Sequence, residues 1–136
     1  MSSLILDTVF IKVREALQSL YPDMTFYKYD PRARNYQRPF ATVQPRGIET
    51  NNLPTRTIGN AARRYRFDII IGLKEGEPEE VEEALAMASQ AVIDMFEPWS
   101  SILANVFVED IYSMQEPENV SRLRDTVTLK LSVIST

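Results

Sequence analysis

Apolar and polar residues alternate from Arg64 to Leu73. Tyr65, Phe67, Ile69, Ile71 and Leu73 stand against Arg64, Arg66, Asp68, Ile70 and Gly72. A period of two with one apolar face predicts a half-buried strand. Ile70 on the second face predicts a central strand, covered on both sides at its middle. Gly76 to Pro78 then turns the chain, and the period lengthens to that of a helix. Val81, Ala84, Leu85, Ala88, Ala91, Val92 and Met95 fall on one stripe. Pro78 suits the first helical position, where no backbone N–H is needed. Glu79, Glu80, Glu82 and Glu83 occupy the first turns, where carboxylates favour the positive end of the helix dipole. Glu97-Pro98 ends the helix.

A second helix is predicted over Ser3 to Leu20, where Leu6, Val9, Phe10, Val13, Leu17 and Leu20 recur at steps of three and four. Tyr21-Pro22 stops it, because a residue before proline is pushed out of the helical region. Met24 to Tyr29 and Phe40 to Gln44 read as short strands. Pro39 and Pro45 lack a ladder donor and are expected at the ends of the latter. Gly47 to Ala62 has no usable period and reads as a long polar loop, or as the arm of a hairpin joining the second and third strands. Ala104 to Gln115 is strand-like, but Val106 and Val108 are out of register with Ile111, which predicts a bulge near Glu109-Asp110. Thr126 to Ile134 alternates cleanly through Val127, Leu129, Leu131 and Val133. The last two strands are expected to pair as an antiparallel hairpin.

These elements define one α+β domain over residues 1–136. Two helices cover a mixed or antiparallel sheet of about five strands, in the order α-β-β-β-α-β-β, with a loop or arm at about 46–63. A chain of 136 residues is long enough to bury roughly two thirds of its unfolded surface.

Composition narrows the chemistry. The chain has no histidine and no cysteine, which removes the commonest general base and metal ligand, thiolate nucleophiles and disulfides. Its four glycines, at 47, 59, 72 and 76, make no phosphate loop. None of its four lysines follows an acidic residue by two positions, the spacing of a metal-dependent nuclease. Glu109 and Asp110 could in principle bind a hard cation, but adjacent residues on a regular strand point to opposite faces, which argues against a shared site. No enzyme, cofactor or metal is expected. No apolar run is long enough to cross a bilayer, and Asp7, with no basic segment before it, argues against a signal peptide at the N-terminus.

The net charge of −4 hides an asymmetry. Residues 1–72 hold 11 Lys+Arg and 6 Asp+Glu, a balance of +5; residues 73–136 hold 4 and 13, a balance of −9. Arg32, Arg34, Arg38, Arg46, Arg56, Arg63, Arg64 and Arg66 form the basic set, and Glu75, Glu77, Glu79, Glu80, Glu82 and Glu83 the acidic one. The strand core from Phe67 to Lys74 holds the two sets roughly 26 Å apart, at about 3.3 Å per residue. One reading is two differently solvated faces. The sharper one is head-to-tail association, with the basic face of one copy on the acidic face of the next. Arginines interleaved with Tyr36 also suit nucleic acid, yet the sequence pI of about 4.9 restricts this to local, non-specific phosphate contact.

In the order and texture of its elements the chain resembles the phage tail terminator proteins, also described as tail completion or head-to-tail joining proteins. The likeness is carried by LILDTVFIKVREALQSLYP, two short strands, a polar loop, RYRFDIIIGLK, EEVEEALAMASQAVIDMF and the closing TVTLKLSVIS. It implies a virion protein at the head-proximal end of the tail, assembled in the host cytoplasm. Such a protein forms a ring, typically a hexamer, that caps the tail tube protein and docks a neck or head-completion protein. Nucleic acid would meet it only in the tube lumen, and no membrane or chemistry is involved. The family pattern assigns no role to individual residues, so the charged positions above are inferred from the charge pattern. Two other readings stand beside this one: a neck or head-completion subunit, and a small binding module contacting RNA or another protein. An RNA-binding module would expose Tyr27, Tyr29 and Tyr65 on one sheet face.

Overall fold

A computed structural model describes residues 2–28, 39–49, 63–73, 78–96, 101–103, 106–114 and 126–135. The elements are α1 (Ser2–Gln18), β1 (Thr25–Lys28), β2 (Phe40–Glu49), β3 (Arg63–Gly72), α2 (Pro78–Phe96), β4 (Ser101–Leu103), β5 (Val106–Met114) and β6 (Thr126–Ser135). This is the α+β fold expected from the hydrophobic pattern. Its sheet has one more strand than the pattern indicated: β4 is three residues long, too short to show a period of its own.

The strands lie in the order β1-β2-β3-β6-β5-β4. β1 runs parallel to β2, and every other neighbouring pair is antiparallel. β3 and β6, the two most clearly alternating segments, sit side by side in the middle. They pair without a break from Arg63↔Ser135 to Gly72↔Thr126. Because side chains alternate, this register sends Tyr65, Phe67, Ile69 and Ile71 to the same face as Val127, Leu129, Leu131 and Val133. All eight are buried, and they form one core with Ile5, Leu6, Val9, Val13 and Leu17 of α1 and Val81, Leu85, Ala88, Val92 and Phe96 of α2. Both helices therefore cover one face of the sheet. Burying each Leu or Ile here stabilises the fold by roughly 1.5–3 kcal/mol.

The helices are held to each other and to the sheet edge by a few polar contacts. The Tyr21 hydroxyl donates to the Ala84 carbonyl at 3.4 Å, which sets the end of α1 beside the first half of α2. Lys28 Nζ donates to Asp7 Oδ1 at 2.7 Å and lies 5.5 Å from the centre of the Phe10 ring, tying β1 to α1.

The structure corrects two local expectations. Leu20 is not in the core but 45% exposed. The helix ends at Gln18, and the Leu17 carbonyl accepts from the N–H groups of both Leu20 and Tyr21. That turn takes Leu20 off the stripe and packs half-buried Tyr21 against the core instead. Pro45 lies inside β2 rather than at its end, opposite Phe67. Among the described residues the pairing of β1 stops at Val43, so β2 has no strand partner on that side at Pro45, where a missing donor is tolerated. The register also shifts between Pro45 and Gly47, and Gly47 has φ of 141°, a conformation that favours glycine.

Three other expectations are met. β2 and β3 are the arms of a hairpin, paired as far as Glu49↔Arg64. β5 and β6 pair as an antiparallel hairpin, and the β5 register shifts between Val108 and Asp110. That bulge returns Ile111 to the core face, opposite Leu131.

On the face away from the helices, Asp68 is 3% exposed. Its Oδ1 accepts from Lys130 Nζ at 2.9 Å and its Oδ2 from Arg46 Nε at 2.5 Å. The carboxylate thus links β2, β3 and β6, and its charge is matched where water is excluded. Thr42, on the same face one step along the ladder, is fully buried, and its hydroxyl has no hydrogen-bond partner.

Candidate functional site

The charged sets are placed by β3 and α2. Arg63, Arg64 and Arg66 begin β3, with Arg63 and Arg66 exposed and Arg64 half-buried. Alternation separates them: Arg63 shares the helix-covered face with Tyr65, while Arg64 and Arg66 lie on the opposite face with Asp68. Arg46 stands on the neighbouring arm and is committed to Asp68. Arg32, Arg34, Arg38 and Arg56, together with Glu75 and Glu77, lie outside the described residues.

Glu79, Glu80, Glu82 and Glu83 are exposed on the first turns of α2. α2 follows the Gly72 end of β3 and leads to β4, which pairs with the start of β5. The start of β5 aligns through β6 with the Arg63 end of β3. α2 therefore runs antiparallel to β3, and its glutamates lie at the far end from the arginines. Nine residue steps from Arg63 to Gly72 make this separation about 30 Å. Over such a distance direct attraction between the clusters is screened, because the Debye length at physiological salt is about 8 Å. The two poles cannot neutralise each other within one copy.

Two apolar residues join these poles that the charge pattern alone did not single out. Ile48 is 51% exposed on the β2 arm, opposite Tyr65, and Met87 is 63% exposed on α2. Met87 could have been found from the sequence, since it falls off the buried stripe of α2. Ile48 could not, because its neighbours are set by the pairing of β2. α2 also carries five acidic residues and no Lys or Arg, and Asp94 extends the anionic surface into its last turn, accepting from Gln90 Nε2 at 2.7 Å. By contrast α1 balances Asp7 and Glu15 with Lys12 and Arg14.

The tyrosines do not form the row that a base-stacking surface requires. Tyr65 is 4% exposed within the core, Tyr27 is half-buried and paired with Thr42, and Tyr29 lies outside the described residues. Among the described residues there is no cluster of three acidic side chains arranged to hold a metal ion. No helix among them is long and apolar enough to cross a membrane. No family model and no curated protein matches the chain.

Proposed function

We propose that the protein is a structural subunit of a phage tail, assembling head-to-tail into a ring that caps the tube and receives the neck or head. The observation that carries this reading is the placing of a basic and an acidic pole about 30 Å apart at opposite ends of β3, the acidic one on the first turns of α2. A ring needs a heterologous interface, in which two different surfaces of each subunit meet. Opposite charge at opposite ends supplies two such surfaces and sets their polarity. The resemblance in element order to tail terminator proteins supplies the biological setting, and the tail tube protein and a neck or head-completion protein are the implied neighbours.

The test is molar mass by light scattering, followed by electron microscopy of the particles. Closed rings with a central hole as wide as a tail tube are expected. A stable monomer that binds RNA with a steep salt dependence would overturn the reading in favour of a nucleic-acid module. Reversing the arginine pole with Arg63→Glu plus Arg64→Glu is expected to weaken assembly or docking to the tail end while circular dichroism stays native. Normal assembly and tail termination by this variant would remove the arginine pole from the interface.

A further inference from the structure

Each charged pole carries one of the exposed large apolar side chains, and we infer that the two poles meet through a specific pair of contacts. In this pairing Met87 of one copy packs on Ile48 of the next, while Glu83 faces Arg63. The inference deepens the ring reading and rests on it.

On the helix side, Glu83 and Met87 are four residues apart and both exposed. They stand one above the other on the outer face of α2, about 5–6 Å apart. Glu79 continues the same row by a further turn. On the arm side, Ile48 pairs with Tyr65. Arg63, two residues before Tyr65, is the diagonal neighbour of Ile48 on the same face, about 7–8 Å away. Each surface therefore presents one apolar knob and one charge at a similar spacing, and the charges are opposite. Long side chains at Arg63 and Met87 absorb a difference of about 2 Å in spacing.

The rest of α2 points the same way. Its exposed acids repel one another at three- and four-residue spacing, and Asp94 stands at the negative end of the helix dipole. A surface with no cation of its own on the helix is stabilised by one brought from outside. The basic pole is the complementary surface that every copy carries. Arg63 and Glu83 also form the better test pair, because Arg64, Arg66 and Glu82 make other interactions within the chain.

The experiment is a charge swap read by sedimentation equilibrium up to millimolar concentration. Arg63→Glu and Glu83→Arg are each expected to raise the midpoint of self-association about tenfold, since each places like charges in contact. The chain carrying both reversals restores the attraction and is expected to return to within about threefold of wild type. The apolar contact is read by a second cycle with Ile48→Ser and Met87→Ser. If the two side chains touch, the double variant loses little more than either single one. Single reversals without effect, or a double reversal no better than the worse single one, would overturn the pairing while wild-type rings leave the ring reading standing. A wild-type chain that stays monomeric throughout the range overturns the pairing, and one that also binds RNA with a steep salt dependence overturns the ring reading with it.

Discussion

Lys130 Nζ lies 2.9 Å from Asp68 Oδ1 across the β3–β6 ladder, and the two are direct register partners. The carboxylate is 4% exposed, whereas the side chains of Lys130 and Arg46 are 36% and 55% exposed. The three groups are thus unequal. Each cation can turn to water when the carboxylate is lost, but the carboxylate has no such recourse.

Asp68→Asn is accordingly expected to cost about 1–3 kcal/mol, the range for charge-assisted hydrogen bonds lost at a buried site. Lys130→Met should cost less than about 1 kcal/mol, because Arg46 still compensates Asp68 and the lost pair is partly solvated. Urea denaturation with an unchanged m-value checks both figures. Equal losses in the two variants would mean that Asp68 is not the buried centre of the cluster.

Leu17 and Leu20 separate the helical pattern from the real core. Leu17 is fully buried and Leu20 is 45% exposed. Leu17→Ala is expected to lose about 2–5 kcal/mol to transfer and cavity terms, and Leu20→Ala about 0.5 kcal/mol or less. A large loss at Leu20 would extend α1 two residues beyond Gln18, to Leu20.

Gly47→Ala probes the irregular step in β2. No atom lies within 4 Å of a Cβ built on Gly47, so a steric clash is not the issue. The cost is conformational, about 1–3 kcal/mol for a side chain held at a sparsely allowed φ. A melting temperature lowered by several degrees is expected, and an unchanged one would show that the strand relaxes to ordinary β geometry.

Burial pushes the Tyr21 phenol above its ordinary value. A raised folded-state pKa means that the neutral form is favoured in the native protein. The associated stability is present in full below pH 10, and it declines as pH rises through the folded-state value. Tyr21→Phe should therefore flatten the alkaline loss of stability above pH 10. It should also cost about 0.5–1.5 kcal/mol at neutral pH through the missing bond to Ala84. An alkaline profile identical in the two proteins would assign that loss to other tyrosines.

Much of the fold was legible because periodicity is a local property. Whether Tyr65 or Arg66 faces the core follows from alternation alone, and so does the stripe of α2 from Val81 to Met95. The bulge at Glu109 was legible too, as a break between Val108 and Ile111 that only an extra residue repairs. The two charge clusters could be read as composition, and the opposite facing of Arg63 and Arg64 is again alternation.

What the sequence determined by itself is the inner side of each element, since burial of apolar surface acts residue by residue. Only the tertiary structure decided which elements became neighbours. The parallel pairing of β1 with β2, the short β4 and the place of Pro45 past the end of the β1 pairing all depend on chain closure between distant segments. So does the setting of Asp68. In the alternating pattern it is one of three charged residues on its face, and it becomes a buried centre only when Arg46 and Lys130 arrive from β2 and β6. The charge poles combine both levels. Their residues and the strand length between them stand in the sequence, but the antiparallel run of α2 along β3 was decided by packing.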